Sequence, residues 1–209
     1  MTRRTNRQIQ IVWGHKTPHI EQKLDDIIPW VHQAGQPYYD VFLEGTDTEE
    51  VLRRWLQRRS SELALRRTRL AVADDRIAGG YVAVAGTDLA ACRQADLLDL
   101  ARTMGNRSYS ELRSRMNDLN DLFAPVEAHD FYLSKLGVMA RAAHRELEIP
   151  LLDDCIQRAE YGGFGQVRTD VCEDDESLRS LLQTYGFRPI YRGKTPDGQL
   201  RYLSMSLEV

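Results

Sequence analysis

Between Leu136 and Asp153 the chain reads LGVMARAAHRELEIPLLD, the stretch that most limits what it can fold into. The residues before it, Phe131–Val138, have the composition of a strand. Those from Ala142 to Tyr161 have the apolar spacing of a helix, with Leu151 and Leu152 adjacent on it. The layout is therefore strand, loop, helix. The junction is charged: Arg141, Arg145, Glu146 and Glu148 fall in it. Read locally, Arg141–Glu148 is the charged first turn of a helix that tolerates Pro150 early in its course.

The other elements arrange themselves around this unit. Gln8–Val12 reads as a first strand. Pro18–Gln33 carries Ile20, Leu24, Ile27, Ile28 and Val31 at helical spacing, and Pro29 is expected to bend or split it. A loop with Pro37, Tyr38 and Tyr39 follows. Asp47 or Thr48 caps the next helix, which buries Val51, Leu52, Trp55 and Leu56. Leu70–Ala73 and Ile77–Val84 form a hairpin across Asp74-Asp75-Arg76. Residues 87–126 switch to three- and four-residue apolar steps (Leu97, Leu98, Ala101; Leu112, Met116, Leu119, Phe123) with a break at Gly105-Asn106. This is too long for a strand connection and predicts a helical insertion that covers something. After it come strand Gln166–Cys172, helix Ser177–Tyr185, a strand from Gly186 through Tyr191 and a final strand Leu200–Leu207. The expectation is one α/β (α+β) domain over 1–209. Its mixed, mostly antiparallel central sheet is flanked by helices, with the insertion between the third and fourth strands.

Composition excludes several classes. A formal net charge of −3 carries no global nucleic-acid signature, and no apolar run is long enough to span a membrane. The N-terminal MTRRTNRQIQ is basic without an apolar segment behind it, so it reads as a short disordered arm rather than a secretory signal. Cys92, Cys155 and Cys172 are odd in number and widely spaced, which points to a reducing cytoplasm and away from a disulfide framework or a metal site. One local feature stands apart: Arg53, Arg54, Arg58, Arg59, Arg66 and Arg67, with Arg69 beyond them, form a basic stripe in an acidic chain. It is either a solvated helix face or a dock for an RNA backbone, a carrier-protein helix or a phosphorylated substrate.

Leu136–Asp153 resembles motif A of the GCN5-related N-acetyltransferases, roughly L-x-V-x-P-x-x-R-G-x-G-x-G-x-x-L-L. Val138 falls on the strand-end apolar residue, and Leu151 and Leu152 on the helix pair. The motif's arginine falls on Ala143 and its last two glycines on Glu146 and Glu148. A second stretch, DDESLRSLLQTYGFRPIYRG, resembles the family's later N-x-x-A-x-x-L-Y-x-x-x-G-F. Gly186-Phe187 and Leu181 match, Asp175 replaces the asparagine, and Leu182 replaces the tyrosine that often serves as general acid. The resemblance implies the same fold over nearly the whole chain and an enzyme that transfers an acyl group to an amine. It also implies a pyrophosphate cradle whose chemistry is inverted here. Glycine lets backbone N–H groups approach a pyrophosphate; glutamate blocks the approach and repels it. Repulsion of about 4 kcal/mol per unit charge at roughly 4 Å would, for two glutamates, offset the roughly 8 kcal/mol of a micromolar donor.

The resemblance places donor contacts at Leu136, Val138, Met139, Arg141, Arg145, Glu146 and Glu148, where the strand end would offer a backbone N–H to the acyl carbonyl. The family's base position falls on Tyr132, and Ser134 shares its strand face. Tyr185 lies one helical turn past the missing tyrosine and could replace it. His129 and Asp130 are alternative bases. Tyr38, Tyr39, Asp40 and Glu44 fall where the family's acceptor-side loop would be. No metal and no tightly bound cofactor is expected; acyl-coenzyme A would be a co-substrate. Three readings stay open: transfer to a small amine from an atypical donor such as an aminoacyl-tRNA or a carrier-protein thioester, ordinary acetyl-coenzyme A dependent transfer, and a non-catalytic protein of the same fold.

Overall fold

Asp74 and Asp75 both adopt left-handed backbone, with φ of 52° and 60°, and reverse the chain between β2 (Thr68–Ala73) and β3 (Arg76–Ala85). Positive φ at both central residues lets a two-residue turn match the twist of its strands. The hairpin is the start of the sheet in this computed structural model, which describes residues 9–104, 108–119, 121–139 and 144–209. Adding β1 (Gln10–Trp13), β4 (Asp130–Val138), β5 (Gln166–Cys172), β6 (Arg188–Lys194) and β7 (Arg201–Glu208) gives the order β1-β2-β3-β4-β5-β7-β6. Every neighbouring pair is antiparallel except β4 and β5. A parallel pair needs a crossover, supplied by α6 (His144–Tyr161).

Each sheet face buries its own set of apolar side chains. On one, α1 (Leu24–Gly35) lies against β3 and β4 with Trp30, Ile27 and Val31 buried, and α3 (Thr48–Gln57) adds Leu52, Trp55 and Leu56. On the other, α6 contributes Leu151, Leu152 and Cys155, and α7 (Glu176–Thr184) contributes Leu182. Asp47 caps α3 by accepting from Glu50 N at 3.0 Å. Asp175 caps α7 through Leu178 N in the same way.

Three local expectations need correction. Pro29 does not split α1, which runs through it to Gly35. Tyr38 and Tyr39 are not in a loop but open a short helix, α2 (Tyr38–Phe42). The insertion forms α4 (Gly86–Met104) and α5 (Ser108–Leu119), yet α4 buries Leu89, Cys92, Asp96 and Leu100 while Leu98 is exposed. The face read from Leu97, Leu98 and Ala101 is rotated because the stripe contains an aspartate that hydrophobic periodicity discounts. The Gly105-Asn106 break lies outside the described residues.

Both ends of the insertion are pinned by close backbone approaches. A Cβ on Gly86 would stand 1.8 Å from the Glu127 carbonyl oxygen. One on Gly193 of β6 would stand 2.2 Å from the Leu122 oxygen and 2.4 Å from that of Asp121. Only glycine fits where two backbones meet this closely. Gly193→Ala is therefore expected to destabilise the fold by about 1–3 kcal/mol, read as a lower urea midpoint, whereas Gly198→Ala, with open space at its Cβ, would show only the strain of its left-handed backbone.

Candidate functional site

Apolar residues along β4 fall at Phe131 and Leu133, then at Leu136 and Val138, all buried on the α6 face. Positions 133 and 136 differ by an odd number, so strict alternation would put the second pair on the opposite face. An extra residue restores them. Ala83 of β3 faces Leu133 and Val82 faces Lys135, which leaves Ser134 as a bulge. Ser134 and Lys135 consequently both line the opposite side of the sheet, next to Tyr132.

The bulge coincides with an opening. β5 is in register with β4 only from Asp130↔Gln166 to Leu133↔Thr169, while β4 stays paired with β3 as far as Val138. Met139 N donates to Ala78 on the β3 side at 2.8 Å. By alternation, the N–H groups of Leu136 and Val138 point the other way, into the gap where no β5 residue stands opposite.

Next to the bulge lies a cavity of about 600 Å³, a size suited to a small organic molecule. The insertion lines it with Arg93, Asp96, Leu97, Met116 and Leu119, so it does cover something. Glu62 is the hub. Its Oε1 accepts from Ser134 Oγ in a short contact, and its Oε2 accepts from Arg93 Nε at 3.0 Å. Its backbone N donates to Asp96 Oδ2 at 2.9 Å, so one residue links the insertion to the bulge. The loop that carries it is held by Arg67, whose guanidinium donates to the carbonyls of Arg59 and Ser61 at 2.8 and 3.2 Å. Lys135 Nζ donates to Ser134 O at 3.0 Å and stands 5.1 Å from the Tyr39 ring centroid. Tyr132 donates to Asp170 at 2.8 Å, and Ser204 donates to the other oxygen of that carboxylate at 2.5 Å.

The local field sets protonation. Burial raises the Glu62 pKa, but Arg93, then Lys135 and the Ser134 hydrogen bond, outweigh it and leave Glu62 below its ordinary value. Burial lowers Lys135 and raises Asp170. Asp96 is raised, mainly by burial, to about 7. A carboxyl near 7 is suited to exchanging protons at neutral pH.

Of the expected site residues, Tyr132, Ser134, Tyr38 and Tyr39 come together in this cavity. Asp40 and Glu44 do not: Asp40 is an exposed partner of His32 at 3.4 Å, and Glu44 accepts from Arg115 through its backbone oxygen. Tyr185 also lies outside it. Its hydroxyl donates to Asp153 at 2.8 Å, and burial, followed by that carboxylate, pushes its pKa up to about 12. His129 is largely exposed beside fully buried Asp130, which accepts from Glu127 N and Gln166. Leu136 and Val138 turn their side chains into the α6 core, and Met139 packs against the α1 side. Glu146 is exposed in the first turn of α6, and Glu148 is half-buried in the next. Arg141 and the Arg145 side chain lie outside the described residues.

The arginine stripe is largely consumed by partners distant in sequence. Arg53 pairs with Asp25 and Glu49, Arg54 with Glu50 and Asp99, Arg58 with Asp99, and Arg67 with Asp88. Only Arg59 and Arg66 of the six remain exposed and unpaired among the described residues. Glu62, Arg93, Asp96, Lys135 and Asp170 were not anticipated. Two had a signal: the parity break in β4 for Lys135, and an acid on the 89–92–96–100 stripe for Asp96.

No protein-family model and no curated protein matches the chain. Solved structures do. A crystal structure of an acetyltransferase is 17% identical over 96% of this chain and 99% of that one, with a TM-score of 0.62. An N-acetyltransferase from Staphylococcus aureus Mu50 is 11% identical over 90% and 96%, with a TM-score of 0.65. The C-terminal condensation domain of Ebony, in complex with beta-alanyl-dopamine, is 13% identical over 97% and 100%, with a TM-score of 0.58. The fold is thus that of the GCN5-related N-acetyltransferases.

The Asp96 shift has a signed consequence. A carboxyl raised from 3.8 to about 7 gives stability that is complete below 3.8 and lost as pH rises through about 7. Wild type should lose more stability than Asp96→Asn between about pH 5 and about pH 8, as measured by urea unfolding; parallel losses would contradict the shift.

Proposed function

We propose that the chain is an N-acyltransferase that forms an amide on a small-molecule amine and draws its acyl group from a carrier-bound ester or thioester. The observation that carries this reading is the bulge at Ser134. It sets a strand end with open N–H groups against a cavity of carboxylates and aromatic rings. Acyl transfer needs both parts: donors aimed at a developing oxyanion and a group that takes the amine's proton.

In this reading the acyl carbonyl lies in the gap beside Leu136 and Val138, with the Lys135 ammonium near the developing charge. The ammonium of the acceptor gives one proton to Asp96. Its nitrogen bonds to the acyl carbon, the carbonyl–sulfur or carbonyl–oxygen bond breaks, and the second proton departs with the leaving thiol or alcohol. Tyr185 would serve proton delivery only by giving up its bond to Asp153.

The donor follows from α6. Glu146 and Glu148 sit near its N-terminus, where carboxylates already complement the helix dipole that a pyrophosphate would use. This disfavours free acyl-coenzyme A. Between the two carrier types, a carrier-protein thioester is preferred to aminoacyl-tRNA, because four of the six stripe arginines are held by carboxylates. A neighbour of the same fold that holds beta-alanyl-dopamine, itself an amide, fits the product class. A cytoplasmic setting fits the three free thiols.

The test offers the protein an amine mixture with acetyl-coenzyme A, an acylated carrier protein or aminoacyl-tRNA, and reads amide formation by mass spectrometry. Amide is expected from a carrier-bound donor, with no acetyl-coenzyme A binding up to about 1 mM by calorimetry. Glu146→Gly with Glu148→Gly should raise coenzyme A affinity at least about tenfold. Micromolar acetyl-coenzyme A binding by the unaltered chain would return ordinary acetyl transfer to the lead, and no amide from any donor would leave a binding protein.

A further inference from the structure

Asp96 is 7% exposed, lines the cavity and has one carboxylate oxygen, Oδ1, without a hydrogen-bond partner. A buried carboxylate oxygen left without a donor is costly and calls for an explanation. The other acids at the heart of the cavity are answered: Glu62 by Arg93 and Ser134, Asp170 by Tyr132 and Ser204. Charge points the same way. Three carboxylates at the heart of the cavity (Glu62, Asp96, Asp170) line the space against two cations, Arg93 and Lys135. Both cations already face Glu62, which leaves the cavity matched to a positive guest.

The remaining wall is aromatic. Tyr38 stacks on Phe42 at 5.3 Å and meets Phe123 at 5.5 Å, while Phe42 meets Trp55 at 6.5 Å. All four rings line the cavity. Such a surface takes a flat apolar body and adds cation–π attraction at its edge. A fifth ring of the lining, Tyr39, already has the Lys135 ammonium 5.1 Å from its centroid.

We propose that the cavity binds an aryl-bearing organic monocation, with its primary ammonium at the Asp96 carboxylate and its ring against Tyr38, Phe42, Trp55 and Phe123. The insertion, which supplies Asp96, Leu97 and Met116, is then the element that selects the guest. If the acyl-transfer reading holds, this guest is the acceptor. The binding site itself stands without that reading.

The test is calorimetry on the full chain at about pH 8, where Asp96 is ionised, with 2-phenylethylamine, 2-phenylethanol, 3-phenylpropanoate and ethylamine. The amine with a ring should bind at least about tenfold more tightly than its neutral alcohol analogue and than ethylamine, and 3-phenylpropanoate should be the weakest. Asp96→Asn should remove about tenfold of the 2-phenylethylamine affinity and leave that of 2-phenylethanol unchanged. Equal binding of amine and alcohol, tighter binding of the carboxylate, or no binding of any probe up to about 10 mM would overturn the proposal. The unaltered chain alone decides these outcomes if the variant fails to fold. Amine binding without amide formation from any donor would remove the proposed reaction and leave this site in place.

Discussion

A single extra residue in β4 governs the arrangement around the cavity. Without the bulge at Ser134, Leu136 and Val138 would leave the α6 core, and a lysine would take their place beneath that helix. With it, both apolar pairs stay buried, while Ser134 and Lys135 turn together to the other face. The bulge begins where β5 falls out of register with β4, so strand geometry and the opening between strands arise at one place. Bulges re-aim side chains and end pairing at functional positions, and this one does both.

The polar groups around the bulge depend on Glu62 in turn. It holds Ser134 and Arg93 through its carboxylate and Asp96 through its backbone. A charge in a largely enclosed place is tolerable only when paired and hydrogen-bonded. Arg93 supplies the pairing from the insertion, and the Arg67-braced loop supplies the position. Asp96 is the exception within the group: it lines the cavity, yet its neighbours satisfy one oxygen and leave the other buried without a donor. The insertion is therefore part of the cavity's chemistry and not merely its cover.

The arginines show how sequence proximity misleads. Seventeen residues rich in guanidinium groups and poor in acids read as a free basic stripe. Their partners Asp25, Asp88 and Asp99 arrive from α1 and α4, and Asp154 reaches Arg69 from α6. Ion pairs across 21 to 85 residues are invisible to any local window. The pairs tie α3 to its neighbours, and four of the six charges are no longer free for a polyanion.

The sequence by itself determined the strands, the longer helices, their order and the fold class, because these follow from local periodicity, turn residues and the apolar demands of strand and helix; the short α2 was not among them. Strand Gln166–Cys172 falls on its expected bounds, as does the end of β4 at Val138. Tyr132, Ser134, Tyr38 and Tyr39 were also legible, since alternation and element order place them on one side of the sheet. Tertiary structure alone decided which charges meet. Glu62, Arg93, Asp96 and Asp170 come from a loop, an insertion and a later strand, and they act together only after folding brings them into one low-dielectric space. Their protonation, and with it the chemistry open to the cavity, is set by that proximity and burial, which no single segment of the chain contains.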